Sequence, residues 1–294
     1  MWSEVVADQD LSPIGREVEA FLVKLVAEKK IDAPMLPEVA SQVLGLSNDP
    51  DSDAAQLAKL IQSDQSLAGH VMRIANSAAY TPNASMISLQ QAIARLGMTL
   101  ITDIAIAASL NTKLFKAPKF TKRIAEIWSH AVSTAVWGKE VARLSQRNVE
   151  ASFLCGLLHS IGRPAILQVI NDVTKDLGQA IELEEALYLE EHFHVAFGEV
   201  IVQQWGMPII VQETVQYYHQ YQQDNSISEQ AMIVNGAAKL ASGTLLAQGT
   251  ELAGLLEDIV EGKVFADLNL YEDDLAKLIQ LSGQVKASME AMRV

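Results

Sequence analysis

The chain has 294 residues, 49% of them apolar, and 36 acidic against 22 basic side chains give a formal charge of −14. That is apolar material enough for packed cores and about two domains of ordinary size, while a negative surface repels phosphate backbones and anionic lipid, so neither nucleic acid nor a membrane is an expected partner. A single cysteine, Cys155, excludes an internal disulfide and any multi-cysteine metal site and fits a reducing compartment.

The opening stretch, MWSEVVADQD, carries three acids and no basic region, so neither export signal nor anchor is expected and the cytoplasm is the predicted location. Apolar residues then recur at intervals of three and four rather than two, which predicts an all-α fold. Glu17 to Lys29 reads as one amphipathic helix, and Pro37 suits the first position of a second. Asp51 or Ser52 is the expected N-cap of a third, whose apolar face is Ala55, Leu57, Ala58, Leu60 and Ile61. At least two more helices follow before residue 110, with Asn76 and Ser77 as a capping or turn pair. Pro118, among Lys113, Lys116, Lys119, Lys122 and Arg123, then interrupts the pattern. It predicts two helical lobes, 1–118 and 119–294, joined by a solvated basic linker. No repeat of solenoid period and no low-complexity tract is present.

In the second lobe, His130, Trp137, Val141 and Leu144 share one stripe of a long helix whose neighbouring stripe is Ile127, Trp128, Ala131 and Ala135, so this helix is expected to lie centrally. Trp128, Trp137 and Trp205 read as core anchors. The run FLCGLLHSIGRP, 153–164, reads as the last turns of a buried helix, with Gly162 as a left-handed cap and Pro164 stopping the ladder. His159 then sits near the helix end, where a lone imidazole is most simply a hydrogen-bonded core residue. Ser160 beside it makes no nucleophile–base pair, because adjacent helical residues diverge by about 100°. Two further helices, broken at WGMP, carry His192, His194 and His219. Imidazoles set singly on separate helices and converging in a core are how helical proteins build metal sites, and His130, His159, His194 and His219 form the candidate set. No phosphate-cradling or dinucleotide-binding glycine pattern occurs. Near the C-terminus, Leu275, Leu278, Ile279, Leu281, Val285, Met289 and Met292 form a stripe that must be covered, by the second lobe or by a partner or second copy.

The order SH (129–130), LLHSIGR (157–163), HVAFG (194–198) and YYH (217–219) resembles the HD superfamily of metal-dependent phosphohydrolases. Segments 36–80 and 87–106 are similar to the added N-terminal lobe of the HDOD domain, a bacterial signalling relative, and the likeness runs from about Ile31 to Gly243. The resemblance implies a two-lobed all-α fold in which His130 is the first family histidine, His159 the histidine of the HD pair, and His194 and His219 the extra histidines of two-metal relatives. Ser160 stands where the pair's aspartate is expected and Ala238 where a later aspartate is expected. In active members those carboxylates hold ions that lower the pKa of bound water. Four neutral imidazoles leave two divalent ions uncompensated, at a cost of several kcal/mol.

The expectation is therefore a degenerate site with no catalytic residue and no cofactor; any metal would be a single ion on His130, His159, His194 and His219. The implied role is regulation through a protein partner, a small-molecule or nucleotide ligand, or homodimer formation. The alternative is a residual metal-dependent phosphohydrolase acting on a phosphodiester or nucleotide.

Overall fold

The computed structural model describes residues 11–47, 49–81, 86–110, 114–222, 228–247 and 249–292; the N-terminal stretch read above and Lys113 lie outside them. Among the described residues every regular element is helical: α1 Pro13–Glu28, α2 Glu38–Ser47, α3 Ala54–Gln62, α4 Gln65–Ala75, α5 Leu89–Leu96, α6 Met98–Ser109, α7 Thr121–Leu144, α8 Val149–Leu158, α9 Gly162–Asp176, α10 Leu183–Gln204, α11 Ile209–Tyr217, α12 Glu229–Leu246, α13 Gly249–Val260, α14 Lys263–Asp267, α15 Glu272–Gln280 and α16 Ser282–Met292.

Local chemistry sets the helix starts. Ser12 caps α1 by accepting the Gly15 N–H, with Pro13 in the first turn. α3 begins at a cap later than Asp51 or Ser52, because Asp53 has Gln56 three residues on and the two close a reciprocal capping box. Asn76 ends α4 and clamps the chain at Met86, donating to its carbonyl (2.9 Å) and accepting its N–H (2.6 Å). The pair there is structural, as its sequence implies.

Helices α2 to α6 pack around Val43, Leu57, Ile61, Val71, Ile74, Ile93, Ile101 and Ile104, all buried. Beyond them α7 is central, packing against α8 and α12. Trp137 of α7 is fully buried and donates its indole N–H to Thr244 Oγ1 at 2.9 Å. Close approach of α8 rests on Gly156, where a Cβ would lie 2.7 Å from Ala135 Cα. The segment Val149–Asp176 is apolar and long enough by composition to cross a bilayer, but 83% of its most apolar window is buried inside the protein.

The segment before α7 is not a solvated linker. Phe115, Ala117 and Phe120 are buried, and the Lys116 N–H donates to Gln168 Oε1 at 2.8 Å. Lys122 stays in solvent while Arg123 turns inward to a carboxylate. Interleaved apolar residues pull this strip of cations onto the second lobe.

The two ends of the described chain each pack across the boundary expected at Pro118. α1 packs on α9 and α10, and Ser12 Oγ donates to Glu185 Oε2 at 2.9 Å. The C-terminal stripe is split between α15 and α16; α16 packs on α7, α4 and α6, and buries Val285, Met289 and Met292. The protein's own helices cover this stripe, on both sides of the boundary expected at Pro118 rather than on the C-terminal side alone.

Candidate functional site

His130 projects from the middle of α7, and His159 follows the last residue of α8, where its Nδ1–H donates to the Gly156 carbonyl at 2.6 Å. The two rings lie 5.5 Å apart between centroids. Ser160, buried, occupies the turn into α9. Gly162 is not a left-handed cap, contrary to its sequence context: it opens α9, and a Cβ there would sit 2.0 Å from the His194 carbonyl oxygen and 2.6 Å from Gly198 N. Glycine is required by the contact of α9 with α10, and Pro164 lies in the first turn of α9, where its missing N–H costs nothing. That contact brings Arg163 and His159 beside α10.

α10 supplies Glu190, Glu191 and His194. Glu190 is fully buried and receives three charge-assisted hydrogen bonds, from Arg123 Nε (2.9 Å) and Nη2 (2.7 Å) and from Arg163 Nη1 (2.9 Å). The other arm of Arg163 reaches Glu191 Oε2 at 2.8 Å. Burial opposes the Arg163 charge, but Tyr218, Glu191 and Glu190 outweigh it and hold the guanidinium above its ordinary pKa. None of Arg123, Arg163, Glu190 and Glu191 was singled out as a site residue in the sequence.

His219 lies in a 3-10 turn, 218–220, that extends α11. Its Nε2 is 2.5 Å from His194 Nε2, the rings edge to face at 82°. His194 Nδ1–H donates to the Glu191 carbonyl at 2.8 Å, and the Tyr218 hydroxyl lies 3.4 Å from His194 Nε2. A carboxylate oxygen of Glu191 and one nitrogen each of His194 and His219 all fall within 4.8 Å of one another. His192, on the same helix, turns away and stacks on Tyr188 at 4.1 Å.

The four candidate histidines therefore do not close on one point. His130 Nε2 donates to the Ala238 carbonyl at 3.1 Å and lies 3.1 Å from Ser242 Oγ. With no side-chain carboxylate at Ala238, the backbone of α12 takes the ring instead. Burial lowers the His130 pKa to about 4, the Ala238 carbonyl opposing and Arg163 and Arg123 reinforcing the shift. Burial likewise pushes His159 well below the ordinary value, helped by the neighbouring His130. His194 falls well below it too, through burial and the Arg163 charge. All three are neutral imidazoles near pH 7.

His130, His159, Arg163, His219 and Lys239 line a cleft of about 670 Å³ together with the apolar Leu246, Leu255, Ile259 and Val264. A two-ion hydrolytic centre does not fit the residues present. Ser160 and Ala238 provide no carboxylate, a carbonyl occupies His130 Nε2, and the nearby acids Glu190 and Glu191 are engaged by guanidinium groups.

Residues 33–221 match the model of the HDOD domain. A protein of Treponema pallidum (strain Nichols), described as uncharacterized, is 21% identical over 219 residues, covering 70% of this chain and 42% of its own length, so the chain spans less than half of that relative. A solved structure from Shewanella amazonensis SB2B, described provisionally as a metal-dependent phosphohydrolase, superposes with TM-score 0.69 at 20% identity, covering 95% of this chain and 100% of that one. A signal transduction protein, also so described provisionally, from Marinobacter aquaeolei VT8 gives TM-score 0.67 at 20% identity over 97% of this chain and 67% of that one. An HDOD domain protein of unknown function from Geobacter sulfurreducens gives 0.61 at 19% over 92% and 98%. At such identities the structures establish the shared all-α architecture, and with the family match covering well over half of the sequence, this chain belongs to the HDOD-domain family.

Proposed function

We propose that this protein is a non-hydrolytic regulatory HDOD module of the bacterial cytoplasm, whose cleft binds a small ligand and passes the occupied state to a protein partner. The observation that carries this reading is the hydrogen bond from His130 Nε2 to the Ala238 carbonyl, with Ser160 at the position next to His159. A ring that donates to a backbone carbonyl cannot present that nitrogen to a metal. The HD half of the cleft thus keeps its shape without the anionic ligands that make hydroxide from water. A cleft of about 670 Å³ with polar and apolar walls is of a size that encloses a small organic molecule.

The binding arm is tested by thermal shift with a panel of nucleotides and small organic acids, followed by chromatography of the incubated mixture. The expected result is a raised melting temperature for one class of ligand, lost in Leu255→Trp, with the ligand recovered intact. Consumption of the ligand, abolished in His159→Ala, would establish the phosphohydrolase alternative instead. A melting temperature indifferent to the whole panel would remove the small ligand and leave a protein partner as the input.

A further inference from the structure

We infer that a second cavity, between α2, α6, α8 and α11, binds a free α-amino acid with an apolar side chain. The cavity has a volume of about 360 Å³, at the small end of the range for organic ligands, and no described residue lines both it and the HD cleft. Leu44, Ile106, Leu154 and Val211 make its apolar wall, one residue from each of the four helices.

The polar side is a stripe of α6. Thr99, Thr102, Asp103 and Ile106 share one face of that helix and line the cavity. Thr102 is only 7% exposed, yet no partner among the described residues meets its hydroxyl. Other buried helical threonines donate to the carbonyl four residues back, as Thr174 does to Ile170, Thr214 to Ile210 and Thr244 to Leu240. Thr102 keeps its donor and its lone pairs for an occupant of the cavity. Asp103, 6% exposed, receives Lys139 Nζ on Oδ2 at 2.5 Å, and no donor among the described residues reaches Oδ1. Burial raises its pKa to about 6, Lys139 opposing by charge and hydrogen bond and Glu150 reinforcing the rise. One lysine therefore undercompensates this carboxylate, and an ammonium at Oδ1 would offset more of its lost hydration. Lys139 comes from α7 and is not part of the lining, whose described charged residues are the acids Asp103 and Glu150.

A carboxylate has its own place here. α6 and α11 both begin at this cavity, which Met98 and Ile210 line, and neither has a side-chain cap, whereas Asn148 caps α8. Their first N–H groups have no intrahelical partner and carry the positive ends of two helix dipoles, a natural seat for an anion. About 6 Å of helix axis separates Thr99 from Asp103, a span that the carboxylate and ammonium of one α-amino acid bridge with a hydrogen bond at each end. The helix starts alone would take any carboxylate, and Asp103 alone any amine. The two together, with the Thr102 hydroxyl and an apolar wall, select a molecule that carries both charges and an apolar side chain.

Isothermal titration calorimetry of the whole chain with L-leucine, L-valine and L-phenylalanine tests the site. The expected result is one bound amino acid per chain, with affinity at least about tenfold lower for isopentylamine and 4-methylpentanoic acid, the leucine analogues that each lack one charged group. Thr102→Val and Asp103→Asn should each weaken binding at least about tenfold, and Leu255→Trp, in the HD cleft, should leave it unchanged. Thr102→Val keeps the side-chain shape and decides the matter if Asp103→Asn fails to fold. No binding of the three amino acids, equal affinity for either analogue, full affinity in either folded variant, or loss of binding in Leu255→Trp would each overturn the inference. Because Leu255→Trp separates the two cavities, this result is independent of the ligand proposed for the cleft.

Discussion

The two ends of the histidine cluster have met opposite fates. At one end, His130 has turned to the backbone carbonyl of Ala238 and His159 donates to Gly156, so the imidazoles are held by their own scaffold. At the other, His194 and His219 face each other beside the Glu191 carboxylate, with Arg163 and the buried Glu190 behind them. The difference lies in where carboxylates survive. α12 has alanine at the decisive position and α8 is followed by serine, whereas α10 carries two adjacent glutamates. At the His130 end each ring N–H is met by a backbone carbonyl, and an unpaired N–H in a protein interior would cost about 1–3 kcal/mol.

The comparison is broken most severely by Glu190→Ala, which strips the common platform from under the His194 end. Two guanidinium groups would lose a buried partner, one of them also bound to Glu191, and a loss of about 3–5 kcal/mol in denaturant unfolding is expected. A loss below about 1 kcal/mol would show that the arginines have other sufficient partners. Acid probes the His130 end. Below about pH 6.5 the unfolded chain takes a proton at His130 that the folded protein refuses until about pH 4, so stability falls as pH drops through that window. Allowing for the partial exposure of the ring, the His130 share is about 2 kcal/mol, and His159 and His194 act in the same direction. Urea melts of wild type and His130→Ala between pH 7 and pH 4 should converge and then cross, leaving the variant the more stable by about 1 kcal/mol at the acid end; parallel curves would mean that the imidazole has the same pKa in the folded and the unfolded chain.

Gly162→Ala sharpens the comparison by disturbing the two ends unequally. Its new methyl would strike the His194 carbonyl, so α9 and α10 must part, at a cost of about 1–3 kcal/mol. The His194 resonances should move while those of His130 hold still. The smallest effect is that of His130→Ala at pH 7, about 1 kcal/mol for the hydrogen bond to the Ala238 carbonyl. A cost above about 3 kcal/mol would show that His130 does more than satisfy the cleft wall.

Much of this architecture was legible from periodicity and punctuation. The break at WGMP is a left-handed Gly206 at φ 64° after α10, with the Met207 N–H returning to the Val202 carbonyl at 2.9 Å, and the central position of α7 follows from its two apolar stripes. Gly162 was misread because a glycine before a proline looks the same whether it ends one helix or lets the next approach a neighbour. Only the position of the His194 carbonyl distinguishes them. The site histidines were found by type, but their grouping was not. Arg123, Arg163 and Glu190 are separated by up to 67 residues, and acids in EEHFHV read equally well as a solvated helix face.

The central claim is that the carboxylates lost at Ser160 and Ala238 have removed hydrolysis. It is tested most directly by the rate at which purified untagged protein cleaves bis(4-nitrophenyl) phosphate with added manganese, measured alongside His159→Ala. The account predicts that neither protein exceeds the rate of manganese alone. Cleavage by the wild type that disappears in His159→Ala would contradict it.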